Sequence, residues 1–176
     1  MILTRIVFCI LCGAIFGGAY FAAEAPQEKL HKHKKGKFSL RYPSDWKEQV
    51  DTDGDALKVS SADEAAFVQV KTDQVKKPLT ACEYLARMEA AEATPKANVL
   101  PEDKRRPKDE ELEAAGVRDG CMGAYRVSRP EGDYLQGAGV YVNGRNVWVI
   151  IQNLRAASRD KYGAAIGDIA RSFAVK

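Results

Sequence analysis

Asn143-Gly144 sits between two runs rich in β-branched and aromatic residues, 134–142 and 146–152. Asn-Gly in that setting is the strongest short signal for a β-hairpin, because a type I′ turn needs positive φ at both central residues. The hairpin commits this part of the chain to an antiparallel sheet. In its second run Val147, Val149 and Ile151 alternate with Trp148, Ile150 and Gln152. Apolar residues on both faces mark a central strand covered from both sides.

The rest of the chain supplies the cover. Phe38, Leu40 and Tyr42 alternate with Ser39 and Arg41, the pattern of a half-buried strand. Pro43-Ser44-Asp45-Trp46 breaks it. Further strands are expected at 47–50, 57–60, 65–75 and 120–128, with Asp51-Thr52-Asp53-Gly54-Asp55 as a turn. Thr80 followed three residues later by Glu83 is a capping box opening a helix. Ala81, Tyr84, Leu85 and Met88 give that helix one apolar stripe, and it should end near Ala93, before Pro95. Residues 92–115 read as a charged surface loop interrupted by Pro95, Pro101 and Pro107, with a short helical piece at 110–115. A last helix is expected over 158–173, capped by Ser158, with Tyr162, Ala165, Ile166, Ile169 and Phe173 on one face. Gly163 and Gly167 either weaken it or permit close packing on the sheet. The order implies an α+β fold: a central antiparallel sheet of about six strands with helices packed on both faces.

The amino terminus bears on location. Residues 1–5 are basic, 6–23 carry no charge, and small residues follow, which is the order of a secretory signal. Ala23-Glu24-Ala25 is the best cleavage match, although Pro26 disfavours it; Gly17-Gly18-Ala19 is the other. An uncleaved anchor is the alternative, since 6–23 is just long enough to span a bilayer. The lysines that follow would then hold the remainder on the cytoplasmic side. Export to the periplasm or beyond is the reading adopted. Residues 26–37 read as a basic, mobile linker, and 38–176 as a single domain. Cys9 and Cys12 leave with a cleaved signal. Cys82 and Cys121 remain, and an even pair in an oxidising compartment favours a disulfide over two buried thiols.

Few function classes survive. The net charge of +3 and the absence of a recognition motif argue against nucleic acid. The chain has two histidines, His31 and His33, both in the expected linker, so Ser-His-Asp and Cys-His chemistry is excluded from the domain. The expectation is therefore no enzyme and no cofactor, with carboxylate or lysine chemistry as the lesser alternative. Lysines around His31 and His33 oppose a metal ion there. Asp51–Asp55 resembles half a calcium loop, but Ala56 and Ala62 stand where glycine and the bidentate glutamate are required. Gln136-Gly137-Ala138-Gly139 lacks the third glycine of a phosphate cradle and reads as a bulge or a close approach. Trp46, Tyr125, Tyr134, Tyr141 and Trp148 read as core or cross-strand pairs rather than a ligand groove. Lys29, Lys32, Lys34, Lys35 and Lys37, with Lys104, Arg105 and Arg106, are candidate contacts for anionic lipid or an acidic partner, weighed against plain solvated charge.

The segment Phe38-Ser-Leu-Arg-Tyr-Pro-Ser-Asp-Trp46, the helix following the strand at 67–70, and the closing Ile169-Ala-Arg-Ser-Phe173 resemble the PsbP-like family. The family is named for an extrinsic subunit of photosystem II and includes many small exported bacterial proteins. The resemblance covers about residues 37–176 and rests on short structural motifs. It implies an antiparallel sheet with helices on both sides and a mostly non-catalytic role as accessory subunit, binding module or lipoprotein. No shared active site can be carried over. The expectation is a small exported binding or accessory module of the cell envelope. Its partner, a protein or a small ligand, is unspecified, and peripheral membrane contact through the basic linker is the alternative.

Overall fold

The computed structural model describes residues 27–91 and 106–176. Expectations for 1–25, for residues 92–105, and therefore for Lys104 and Arg105 lie outside the described residues. The strands are β1 (Glu28–His33), β2 (Phe38–Pro43), β3 (Lys47–Val50), β4 (Ala56–Ser60), β5 (Ala66–Gln74), β6 (Asp119–Arg129), β7 (Gly132–Asn143), β8 (Asn146–Arg155) and β9 (Ala174–Val175). The helices are α1 (Ala81–Ala91), α2 (Asp109–Ala115) and α3 (Arg159–Arg171), the last preceded by a 3-10 turn at Ala156–Ser158.

Six strands form one antiparallel sheet in the order β3-β4-β5-β8-β7-β6. β8 is central, as its two-sided apolar pattern demands, and Val147, Val149 and Ile150 are buried. Its two faces carry separate cores. Trp148, Ile150 and Leu154 point to one core with Val68, Val70, Leu112, Ile166, Ile169 and Phe173. Val147 and Val149 point to the other, with Val140, Cys121, Ala81 and Leu85. Thus α3 and α2 cover one face and α1 the opposite one, and the α+β class read from sequence is the observed one.

The Thr80 cap is formed as expected. The Thr80 amide donates to Glu83 Oε2 at 2.7 Å and the Glu83 amide to Thr80 Oγ1 at 3.2 Å. α1 is then fixed to β6 by the Cys82–Cys121 disulfide, whose Cα atoms lie 5.0 Å apart. The Asp51 turn is also formed, its carboxylate accepting from the amides of Asp55 (2.7 Å) and Ala56 (3.0 Å). These backbone bonds hold the Asp51 carboxyl below its ordinary pKa.

Several expectations are corrected. Residues 26–37 are not a mobile linker throughout, because Glu28–His33 pairs in register with Phe38–Pro43. β2 does not join the large sheet; it lies between β1 and β9 in a second, three-stranded sheet. Its buried Phe38, Leu40 and Tyr42 pack into the core beneath α3. The turn from β1 to β2 is pinned from several sides. Trp148 Nε1 donates to the Gly36 carbonyl at 2.8 Å, and the Gly36 amide donates to His33 Nδ1 at 2.9 Å. A Cβ at Gly36 would meet Thr72, His33 and Phe38 at 2.7–2.8 Å, so only glycine fits this approach. The β7–β8 hairpin pairs Asn143 with Asn146, which leaves Gly144-Arg145 as the loop. Only Gly144 has positive φ there, the signature of a type II′ turn rather than I′. Ser158 makes no side-chain cap to α3.

Candidate functional site

Because side chains alternate along a strand, β6 and β7 turn Met122, Ala124, Gly137 and Gly139 towards the face beneath α3. Ala124, Gly137 and Gly139 leave the floor low, and Met122 lies half-buried against the core. Across from them α3 presents Gly163 and Gly167. The result is a groove. One lobe, of about 620 Å³, lies over Ala124, Leu135, Gly137 and Leu154 and is walled by Gly163 and Ile166. A second, of about 530 Å³, continues over Gly139 and Ile150 to Phe173 and the Glu110–Ala115 side of α2. The lobes share Ala124, Gly137, Gln152 and Gly167, and these adjoining spaces make up the channel.

The fold does not demand these glycines. A Cβ at Gly137 or Gly139 would meet its nearest neighbours at 3.5–3.6 Å, ordinary contact. At Gly163 it would meet only Arg159 Cγ at 3.8 Å, and at Gly167 only the movable guanidinium of Arg171 at 3.1 Å. The sequence reading is corrected here twice. The β6–β7 and β7–β8 registers run unbroken through 137–139, so there is no bulge. Gly163 and Gly167 do not bring α3 tightly onto the sheet; they widen the space between them.

The channel is asymmetric in charge. Arg126 and Arg159 line the end beside Leu135, whereas Glu110 and Glu111, together with Arg171, line the end at α2. Among the described residues neither Arg126 nor Arg159 has an ion-pair partner. Other basic groups are committed: Arg171 pairs with Asp168, and Lys161 with Asp63 at 3.2 Å. Tyr141, expected in the core, is buried yet also borders the channel. Trp46, Tyr125, Tyr134 and Trp148 are buried as expected.

The residues singled out by sequence fall elsewhere. Lys29, Lys32, Lys34, Lys35 and Lys37 are exposed. Lys29 and Lys32 occupy opposite faces of β1, and Lys35 pairs with Asp55 at 2.7 Å. Arg106 pairs with Asp119 at 3.3 Å. Both histidines belong to the fold, contrary to expectation. His33 is buried and stacks on Phe38 with ring centroids 4.6 Å apart. Burial, then the neighbouring His31, lowers its pKa. His31 Nδ1 lies 2.9 Å from Glu48, which also accepts from the Tyr42 hydroxyl. Burial together with this bond raises the Tyr42 pKa. Among the described residues no Ser, Thr or Cys side chain hydrogen-bonds either imidazole, so no nucleophile–base pair is built around them.

Comparison with known proteins bears on the fold. No family model matches the chain, and no curated protein matches it. Solved structures do. Cyanobacterial PsbP from Synechocystis sp. PCC 6803 superposes with a TM-score of 0.61 at 14% identity, over 94% of this chain and 98% of that one. A Bacteroides thetaiotaomicron protein superposes at 0.57 and 12% identity, over 84% of this chain but 48% of its own length. A Pseudomonas aeruginosa protein of unknown function gives 0.52 at 13% identity, over 82% and 94%. The fold is thus PsbP-like, as the motifs at Phe38–Trp46 and Ile169–Phe173 implied. Such identities carry the fold alone.

Proposed function

We propose that this chain is an exported, non-enzymatic binding module whose channel between α3 and strands β6–β7 holds a small, elongated apolar molecule. The observation that carries the reading is the channel itself. Four glycines keep it open, although each could carry a side chain there without backbone clash. A concave, largely apolar space of this volume is where a folded domain offers binding energy to a small ligand. Export is supported by the Cys82–Cys121 bond, of a kind that persists in oxidising compartments, and by the order of residues 1–25. A non-catalytic role is supported by the commitment of both imidazoles to the fold, His33 stacked on Phe38 and His31 against Glu48.

The test uses a neutral apolar fluorophore, N-phenyl-1-naphthylamine, on the purified chain with its disulfide intact. The native protein should enhance its emission saturably. Gly163→Leu, which adds a side chain to the channel wall from the half-buried face of α3, should remove the enhancement while the circular dichroism spectrum is kept. No saturable enhancement by native protein, or equal enhancement by the variant, contradicts the reading.

A further inference from the structure

Resting on the channel as the ligand site, we infer that its ligand is a single-chain anionic amphiphile, a long-chain carboxylate. Its head lies between Arg126 and Arg159 and its chain follows β7 towards Phe173.

Charge decides the orientation. Arg126 on β6 and Arg159 at the start of α3 both line one end, and among the described residues neither is neutralised by an ion pair. An unengaged guanidinium pair is a ready receptor for a carboxylate, which arginine can bind with parallel N–H donors. The far end holds Glu110 and Glu111, and the one basic side chain there, Arg171, is already paired with Asp168. A ligand anionic along its whole length, such as an acidic peptide, would run from favourable into repulsive surroundings. A ligand with one head and an uncharged body would not.

Shape agrees with charge. Between the two ends the floor is Met122, Ala124, Gly137 and Gly139, and Gln152 is the polar side chain common to both lobes. From Leu135 to Tyr141 the strand advances about 20 Å at its ~3.4 Å rise. That is the scale of an extended fatty-acyl chain and far exceeds a compact metabolite.

The experiment is competition against bound N-phenyl-1-naphthylamine with laurate, 1-dodecanol and hexaglutamate, on native protein and on the double variant Arg126→Gln, Arg159→Gln. Both substitutions are on exposed side chains and remove the two charges at one end of the channel without adding bulk. Laurate should compete about 10-fold or more better than dodecanol, the factor expected of one charge-assisted hydrogen bond. Hexaglutamate should not compete. In the double variant the preference for laurate over dodecanol should be lost, both competitors being compared on the same protein so that any change in fluorophore affinity cancels. Equal competition by laurate and dodecanol in native protein overturns the inference and leaves the apolar channel standing. So does undiminished laurate binding by the double variant, or stronger competition by hexaglutamate. Failure of the fluorophore itself to bind overturns the channel reading and this inference with it.

Discussion

At the scale of single residues, the segment before β2 is held by close contacts rather than by composition. Gly36 is the tightest of them. Gly36→Ala should cost about 1–3 kcal/mol, the usual penalty for overpacking a filled site. Urea unfolding measures it, and a loss within error of zero would contradict the described turn. His33 makes a pH-dependent contribution. Its folded pKa lies below the ordinary 6.5, through burial and then through His31, with Lys35 adding to the effect and Asp51 and Asp55 opposing it. The unfolded chain therefore binds a proton more readily. Stability should be level in this respect above pH 6.5 and fall as pH drops below it. His33→Gln should flatten the slope between pH 6.5 and 5, before the carboxylates titrate. Asp51, Glu83 and Asp63 carry lowered pKa values, so their contributions are lost only at more acidic pH, below their unfolded values. Unfolding midpoints that fall equally steeply in wild type and variant would remove His33 from the account.

At the scale of elements, what could be read in advance was what local spacing encodes. Thr80 and Glu83 are three residues apart, so their reciprocal bonds are visible in the sequence. Thr80→Ala should cost about 1 kcal/mol. The two-sided apolar pattern of β8 likewise announced a central strand. Pairings between distant segments left no such trace. β2 takes β9 as a partner, joining Phe38 to Val175 and Ser39 to Ala174, and a two-residue strand has no periodicity to detect. β1 was hidden by its lysines. Their exposed positions say nothing about the buried His33 between them, and charge density alone does not exclude an edge strand. The hairpin is legible in Asn143-Gly144, but its turn lies one residue later, because Asn143 extends the ladder instead of entering the loop. The disulfide was suggested by parity and is placed by α1 lying against β6. It closes a loop with a sequence separation of 39. Replacing both cysteines with alanine should cost roughly 3–4 kcal/mol on the chain-entropy model. Unchanged unfolding under reducing and oxidising conditions would argue that the bond does not form.

At the scale of the whole molecule, the architecture was legible and the site was not. The sheet follows from alternation, and its helical cover from amphipathic stripes. The channel instead arises where side chains are missing, and missing bulk has no hydrophobic signature. Its one sequence trace was a pair of glycines on the same face of β7, Gly137 and Gly139, matched by Gly163 and Gly167 one helical turn apart on α3. Only the placement of α3, packed on β2, β5 and β8, shows that both pairs border adjoining parts of one space. Location remains a property of the intact chain. Mature protein recovered from the cell envelope should weigh less than the full sequence by its N-terminal segment, and less again by the hydrogens lost to the Cys82–Cys121 bond. A full-length mass would favour the anchored alternative. The central claim, that the channel is the binding site, is tested most directly by following backbone amide resonances of the labelled protein during laurate titration. The account predicts saturable shifts at Gly137, Gly139, Gly163 and Gly167, with Gly36 and Gly144 unmoved. Shifts centred on β1 and its lysines, or no saturable shift at the four glycines, would contradict it.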